Sequence, residues 1–242
     1  MDAYITRVSV RGDAGYATEI PAIASLVDAP VELDPRVTFF VGENGSGKST
    51  LVEAIAVAKK LNAEGGARLQ QGTGFTTRAS HSDLHRALVL DGSRRQPVNA
   101  FFLRAESFYN FATRAELPDP VARHEQIYER PLHEQSHGES FLSLVLERFG
   151  PRGLYVLDEP EAALSVHGQL ALMRRMHELV ELESQFVVAT HSPILLGYPH
   201  ATIFEFGDHG IARRAYEETD PYRLTKSFLE EPDAFLRHLF AP

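Results

Sequence analysis

The run Gly42-Glu43-Asn44-Gly45-Ser46-Gly47-Lys48-Ser49-Thr50 directly follows the apolar stretch Val37 to Val41. It satisfies G-x-x-x-x-G-K-[ST] at every fixed position, in the strand, loop and helix context which that pattern requires. A chain carrying it is expected to be α/β, because the loop joins the carboxyl end of a strand to the start of a helix. Glycines let backbone N–H groups turn inward around an anion without Cβ obstruction, and a helix starting near Lys48 adds the positive end of its dipole. The ligand this implies is a nucleoside triphosphate held by Gly42, Glu43, Asn44, Gly45, Ser46, Gly47, Lys48, Ser49 and Thr50. Lys48 is expected on the β- and γ-phosphates and the Ser49 hydroxyl on Mg2+. A ligand-free tight connection does not account for the joint match of spacing, Lys-Ser pair and context.

A second constellation follows. Leu154-Tyr155-Val156-Leu157-Asp158-Glu159-Pro160 reads as a buried parallel strand that delivers two adjacent acids at its carboxyl end, where open α/β sheets bind ligands. Neighbours on a strand point in different directions. Asp158 is therefore expected to orient Mg2+ through its water shell, and Glu159 to position or polarise the attacking water. In isolation the same residues read equally well as a strand ending in an acidic surface turn. The apolar run Phe186 to Ala189 ends in Thr190-His191-Ser192-Pro193, and Val166, Leu170, Met173, Met176 and Val180 mark one face of a helix between the two strands. This strand-helix-strand unit puts His191 beside the acids. Alone it reads as a structural histidine; in this company it reads as a catalytic-site donor to the γ-phosphate.

Phosphate loop, acid strand and histidine in this order, over about residues 37 to 192, resemble the ATP-binding cassette (ABC) superfamily of ATPases. The resemblance implies a P-loop NTPase fold with a mostly parallel core sheet and an N-terminal antiparallel β flap. It also implies a helical subdomain inserted at about 107–150 in a single domain of 1–242. Gln135-Ser136-His137-Gly138-Glu139 occupies the slot of the superfamily's Leu-Ser-Gly-Gly-Gln signature, with Ser136 and Gly138 matching and the other three departing. In the family the signature of one subunit completes the ATP site of another. Ser136, Gly138 and Glu139 would then act in trans in an ATP-dependent homodimer. On residues alone, Ser136 serves equally as the cap of a helix carrying Phe141, Leu144, Val145 and Arg148.

Ala163-Leu164-Ser165 lacks the Asp that transporter ATPases carry in this loop. With Glu161 it looks more like the non-transport branch, stand-alone ATPases related to the heads of chromosome-maintenance (SMC), recombination-repair (RecF) and overcoming-lysogenization-defect (OLD) proteins. In the strand Val98 to Leu103 and its continuation Arg104-Ala105-Glu106-Ser107, Glu106 is the candidate for a metal- or water-facing position, while Arg104 contacts phosphate or pairs with an acid. The implied activity is Mg2+-dependent ATP hydrolysis that opens and closes a pair of heads and passes its output to an unidentified protein partner. The alternatives are the ATPase subunit of a membrane transporter and an ATP-dependent dimerisation switch with little turnover.

Composition bears on partners and compartment. The 242 residues are 43% apolar and 24% charged, ordinary for a globular domain, and the formal net charge is −9. Basic residues occur as doublets such as Arg94-Arg95, Arg174-Arg175 and Arg213-Arg214 rather than as a long run, so nucleic-acid binding is possible but not supported by charge. No apolar run approaches the ~20 residues of a membrane span, Met1 to Val10 contains charges, and cysteine is absent, which together set the expectation of a cytoplasmic protein.

Tyr4 to Val10 and Tyr16 to Ile20 read as flap strands, with Tyr16 stacking on adenine or packing inward. The helix after Ser49 turns Leu51, Ile55 and Ala58 inward and closes at Lys59-Lys60, and Gly65 to Ser82 reads as a loop. His81, His85, His124, His133 and His137 show no repeated ligand spacing. The tail reads as strands at Thr202 to Phe206 and Ile211 to Tyr216. Helices carrying Leu224, Phe228 and Leu229, then Phe235, Leu236 and Leu239, follow and are expected to pack on the chain itself. Only 88 positions separate Lys48 from Ser136, which leaves no room for long coiled-coil arms.

Overall fold

A computed structural model describes residues 3–12, 15–63, 65–67, 82–106 and 137–240. Strand β1 (Arg7–Val10) is followed by a 3-10 turn at Gly15–Glu19 and helix α1 (Pro21–Ser25). Next come β2 (Val31–Glu32), β3 (Val37–Gly42) and α2 (Lys48–Ala58), the strand and helix that flank the phosphate loop. Then β4 (Gly66–Ala67), α3 (Leu84–Ala87), β5 (Leu88–Asp91) and β6 (Asn99–Arg104) precede α4 (His137–Arg148). The acid strand β7 (Gly153–Asp158) leads through α5 (Val166–Glu181) to β8 (Gln185–Ala189) and α6 (Pro193–Leu196). A hairpin of β9 (Thr202–Gly207) and β10 (Gly210–Arg214) is followed by α7 (Asp220–Glu230) and α8 (Pro232–Leu239).

The main sheet has seven strands in the order β10-β9-β3-β8-β7-β6-β4. Its five inner strands are parallel and the two edges, β10 and β4, are antiparallel to their neighbours. Inner strands buried on both faces read as continuous apolar runs, yet their side chains still alternate between two cores. Leu154 and Val156 of β7 join α2 and the flap, whereas Tyr155 and Leu157 join α4 and α5. The flap is the three-stranded antiparallel sheet β2-β1-β5, whose Val8, Val10, Val31 and Leu88 close the first core. Gln185 clips the two sheets together, accepting from Ile5 N at 2.9 Å and donating to the carbonyls of Ile5 and Asp34.

This register aligns the carboxyl ends of the parallel strands. Gly42 pairs with Phe206, Arg104 with Asp158 and Asp158 with Ala189, which collects their following residues at one rim.

Several local expectations are corrected. Tyr16 to Glu19 lies in the 3-10 turn, burying Ala17, and Ile20 is extended only as the residue capping α1, which Pro21 starts at the first helical position, so the segment is not a flap strand. β1 pairs instead with β2 and β5. On α5 the buried stripe is Gly168, Gln169, Leu172, Met176, Leu179 and Val180, while Val166 and Leu170 stand about half exposed. Helices α7 and α8 contribute no buried residue. They pack on the chain as expected, α7 through Tyr222 against Tyr216 at 4.6 Å between ring centroids and α8 on α7 through Phe228 and Phe235 at 5.7 Å, but leave Leu224, Leu229 and Leu239 exposed. Most of Gly65 to Ser82, His81, His124, His133, Ser136 and the greater part of the 107–150 insertion lie outside the described residues; within them, α4 and the Phe149-Gly150 that follow it belong to that insertion.

Candidate functional site

The phosphate loop has the backbone its sequence demands. Gly42 has φ 147°, and a Cβ there would lie 2.4 Å from the carbonyl oxygen of Phe206; Gly47, the residue capping α2, has φ 99°. Both positions exclude a side chain by conformation and by contact, Gly47 because a Cβ there would meet Ile20 at 2.9 Å. Lys48 is 3% exposed and donates to the carbonyls of Gly42 and Glu43 at 2.8 and 2.9 Å, so its ammonium lies inside the loop. Burial lowers its pKa, and Glu159, Asp158 and Glu161 oppose that effect.

Asp158 ends β7 and is 3% exposed. Its Oδ1 accepts from the Ser49 hydroxyl at 2.9 Å and its Oδ2 from Arg104 Nε at 3.0 Å. The phosphate loop and the acid strand, 109 residues apart in sequence, therefore meet through one hydrogen bond. Burial raises the Asp158 pKa, while the Arg104 charge and the Ser49 bond hold it down. Arg104 also donates from Nη1 to Glu53 Oε2 at 2.8 Å. Burial works against its charge, but Asp158 and Glu53 together outweigh burial and the guanidinium pKa is raised. Of the two roles open to Arg104 from sequence, pairing with acids is the one its contacts display.

Glu159 leaves the strand in a left-handed conformation, φ 48° and ψ 51°, uncommon for a residue with a side chain and frequent at functional turns. Its N–H is satisfied by the Ala189 carbonyl at 2.9 Å, and its Oε1 lies 3.5 Å from His191 Nε2. Burial and then the Lys48 charge lower the His191 pKa, with Glu159 opposing. A third carboxylate, Glu161, accepts a hydrogen bond from the His191 backbone N–H, and burial raises its pKa. Ser192 caps α6 and donates to Gln169 Oε1, fixing the backbone just beyond His191.

Gly138, in the first turn of α4, approaches the turn after Glu159 so closely that an added Cβ would sit 3.3 Å from the Ala163 carbonyl oxygen. Glu139 is also in this first turn. Glu106 lies two residues beyond the end of β6 and is exposed, and Tyr16 is 61% exposed. A cavity of about 520 Å³ opens beside the loop, lined by Gly42 to Ser46, by Ile20 and Pro21, and by the turn joining β9 to β10; Tyr16 is not on its wall. Another, about 570 Å³, lies between the segments Leu196–Ala201 and Arg213–Tyr216 and includes neither Lys48 nor the acids. The side-chain convergence at Lys48, Ser49 and Asp158 locates the site on chemical grounds, and the first cavity adjoins it. The sequence reading passed over Glu53. Its spacing of four from Ser49, which puts both on one helix face, was the signal available.

A family profile described as an AAA domain matches residues 19–87. The DNA replication and repair protein RecF of a Nocardioides strain is 41% identical over 59 residues, which is 24% of this chain and 12% of that protein. A nucleotide-free ATP-binding cassette from an ABC transporter superposes with a TM-score of 0.51 at 16% identity, covering 97% of this chain and 99% of that one. A component of an ABC transporter complex from Clostridium perfringens gives 0.50 at 17% identity, with 99% of each chain covered. The chain has the fold of ABC-type P-loop ATPases.

Proposed function

We propose that this chain is an ATPase that binds ATP in the Gly42–Thr50 cradle and hydrolyses it with Mg2+ at the junction of cradle and acid strand. The observation that carries this reading is the 2.9 Å bond from the Ser49 hydroxyl to Asp158 Oδ1. Backbone amides of the loop and the start of α2 hold the phosphates, and Lys48, released from the Gly42 and Glu43 carbonyls, reaches the terminal ones.

The Ser49 hydroxyl and Asp158 carboxylate form an oxygen donor set that suits a hard divalent cation; these residues would hold Mg2+, which would supply charge neutralisation for the triphosphate. Glu159 accepts a proton from, or orients, the attacking water. Neutral His191 donates to the γ-phosphate, its backbone fixed by Glu161 and Ser192. The rate enhancement is mainly positioning and charge stabilisation.

Two heads would pair around ATP, with Ser136, Gly138 and Glu139 of each reaching the nucleotide of the other; the approach of Gly138 to Ala163 supports coupling of that segment to the turn following Glu159. Hydrolysis would separate the heads and pass the motion to a protein partner. Ser165 in the place of the transporter loop Asp, and the identity with a segment of a replication and repair protein, favour the non-transport branch. Among the described residues no helix is long and apolar enough to cross a membrane, in keeping with a cytoplasmic setting.

Calorimetry tests the reading. Mg-ATP titrated into the chain should bind at a stoichiometry of about one per head with micromolar affinity, and Lys48→Ala should lose at least about a hundredfold in affinity. No heat with the unmodified chain would refute it.

A further inference from the structure

Arg104 sits where the carboxyl ends of β6 and β7 meet the first turns of α2. Its Nε and Nη1 donate to two different carboxylates, Asp158 at 3.0 Å and Glu53 at 2.8 Å. Both acids are withdrawn from water, with side chains 3% and 13% exposed, and the guanidinium itself is 25% exposed. Glu53 lies one helical turn after Ser49, so α2 brings a hydroxyl and a carboxylate to the same spot, and Asp158 receives Ser49 on one oxygen and Arg104 on the other.

Without the guanidinium, the buried Asp158 carboxylate, the largely covered Glu53 carboxylate and the Ser49 hydroxyl would leave two uncompensated negative charges that attract a divalent cation before any nucleotide arrived. With it, the cluster carries one net negative charge, and a dication approaching Asp158 meets a fixed cation on the same carboxylate. In low dielectric such like-charge opposition is large compared with its value in water.

We propose that Arg104 is a resident counter-cation of the metal site, suppressing divalent-cation binding to the nucleotide-free head so that the ion loads only together with a triphosphate. The proposal rests on the reading that Ser49 and Asp158 hold Mg2+. The triphosphate supplies the negative charge that shifts the balance, while Arg104 keeps its grip on Asp158 Oδ2 and leaves Oδ1 directed at Ser49. Arg104 is thus a positioning residue. Its charge matters more for this gating than its fork geometry, so lysine should replace it in part and glutamine should not.

The test is a titration of Mn2+ into the full chain, read by the loss of the free-ion electron paramagnetic resonance signal, with and without a non-hydrolysable ATP analogue. Unmodified protein should take up Mn2+ tightly only with the analogue. Arg104→Gln should bind Mn2+ without nucleotide at least about tenfold more tightly than the unmodified chain. Arg104→Lys should stay close to unmodified behaviour, and adding Asp158→Asn to Arg104→Gln should erase the gain.

Nucleotide-free curves that coincide for the unmodified chain and a folded Arg104→Gln variant would overturn the proposal, as would unmodified protein that loads Mn2+ equally well without the analogue. Absence of Mn2+ binding to unmodified protein even with the analogue would instead remove the underlying metal-site reading. If circular dichroism shows that Arg104→Gln does not fold, Glu53→Gln gives an independent check. It leaves the guanidinium against Asp158 alone and should weaken analogue-dependent Mn2+ binding several-fold; unchanged affinity would equally refute the counter-cation.

Discussion

At the scale of single residues, the site is a contest between burial and charge. Lys48, Asp158, Glu161 and His191 are all driven toward their neutral forms by burial, and three of them are held back chiefly by opposite charges or hydrogen bonds within the same cluster. Glu159 stands apart, held by its backbone in a left-handed turn with its carboxylate near His191. Glu159→Gln is expected to bind Mg-ATP as tightly as the unmodified chain while turnover falls on the order of a hundredfold or more, about 3 kcal/mol in barrier height. Phosphate release at unchanged rate would remove Glu159 from its role.

His191 has a separate signature. Its folded pKa lies below its ordinary value near 6.5, so the unfolded chain takes up a proton that the folded chain resists. The corresponding stability is fully present above that ordinary value and lost as pH falls from it toward the folded one. His191→Asn should therefore lose less stability than the unmodified chain between about pH 7 and pH 5.5, compared by urea denaturation. Parallel curves for the two proteins would show that the ring is not so held.

At the scale of elements, the phosphate loop and the acid strand were legible because each is a local pattern with a fixed spacing, and the parallel register then delivers both to one rim. Gly42 shows how tightly loop and sheet are joined, since its missing side chain makes room for the Phe206 carbonyl of the neighbouring β9. Gly42→Ala should destabilise the chain by about 2 kcal/mol or more in chemical denaturation and weaken Mg-ATP binding alongside. Full stability in that variant would mean that β9 and the loop can part without cost.

Other elements were illegible for identifiable reasons. The α5 stripe was misplaced because apolar periodicity cannot see that Gln169 is worth burying: its amide serves the Leu164 carbonyl and the Ser192 hydroxyl, and the helix rotates Val166 and Leu170 toward solvent accordingly. The Glu53–Arg104–Asp158 cluster depends on β6 and β7 pairing Arg104 directly with Asp158, a tertiary register that residue spacing does not encode. Tyr16 to Ile20 resembles a strand in composition, yet Gly15–Glu19 closes into a 3-10 turn and Pro21 then starts α1, so the segment pairs with no strand among the described residues.

At the scale of the whole molecule, each copy carries a formal charge of −9, so two copies repel before any site-to-site contact forms. Nucleotide-driven pairing of heads should therefore strengthen as salt rises to about 0.15 M, where screening acts over about 8 Å. Size-exclusion chromatography with light scattering on Glu159→Gln, with and without Mg-ATP, checks this. A species near twice the monomer mass should appear only with nucleotide, and a monomer under every condition would refute the paired-head reading.

The rims of the main sheet bear on a different kind of encounter. β10 runs against the grain of the five inner strands and ends in Arg213 and Arg214, and β4 at the far side is two residues long. Another chain trying to add itself beside β10 by backbone pairing would meet the arginines at its end. When heat or crowding loosens this protein, the arginines along β10 oppose ribbon-like growth from that edge.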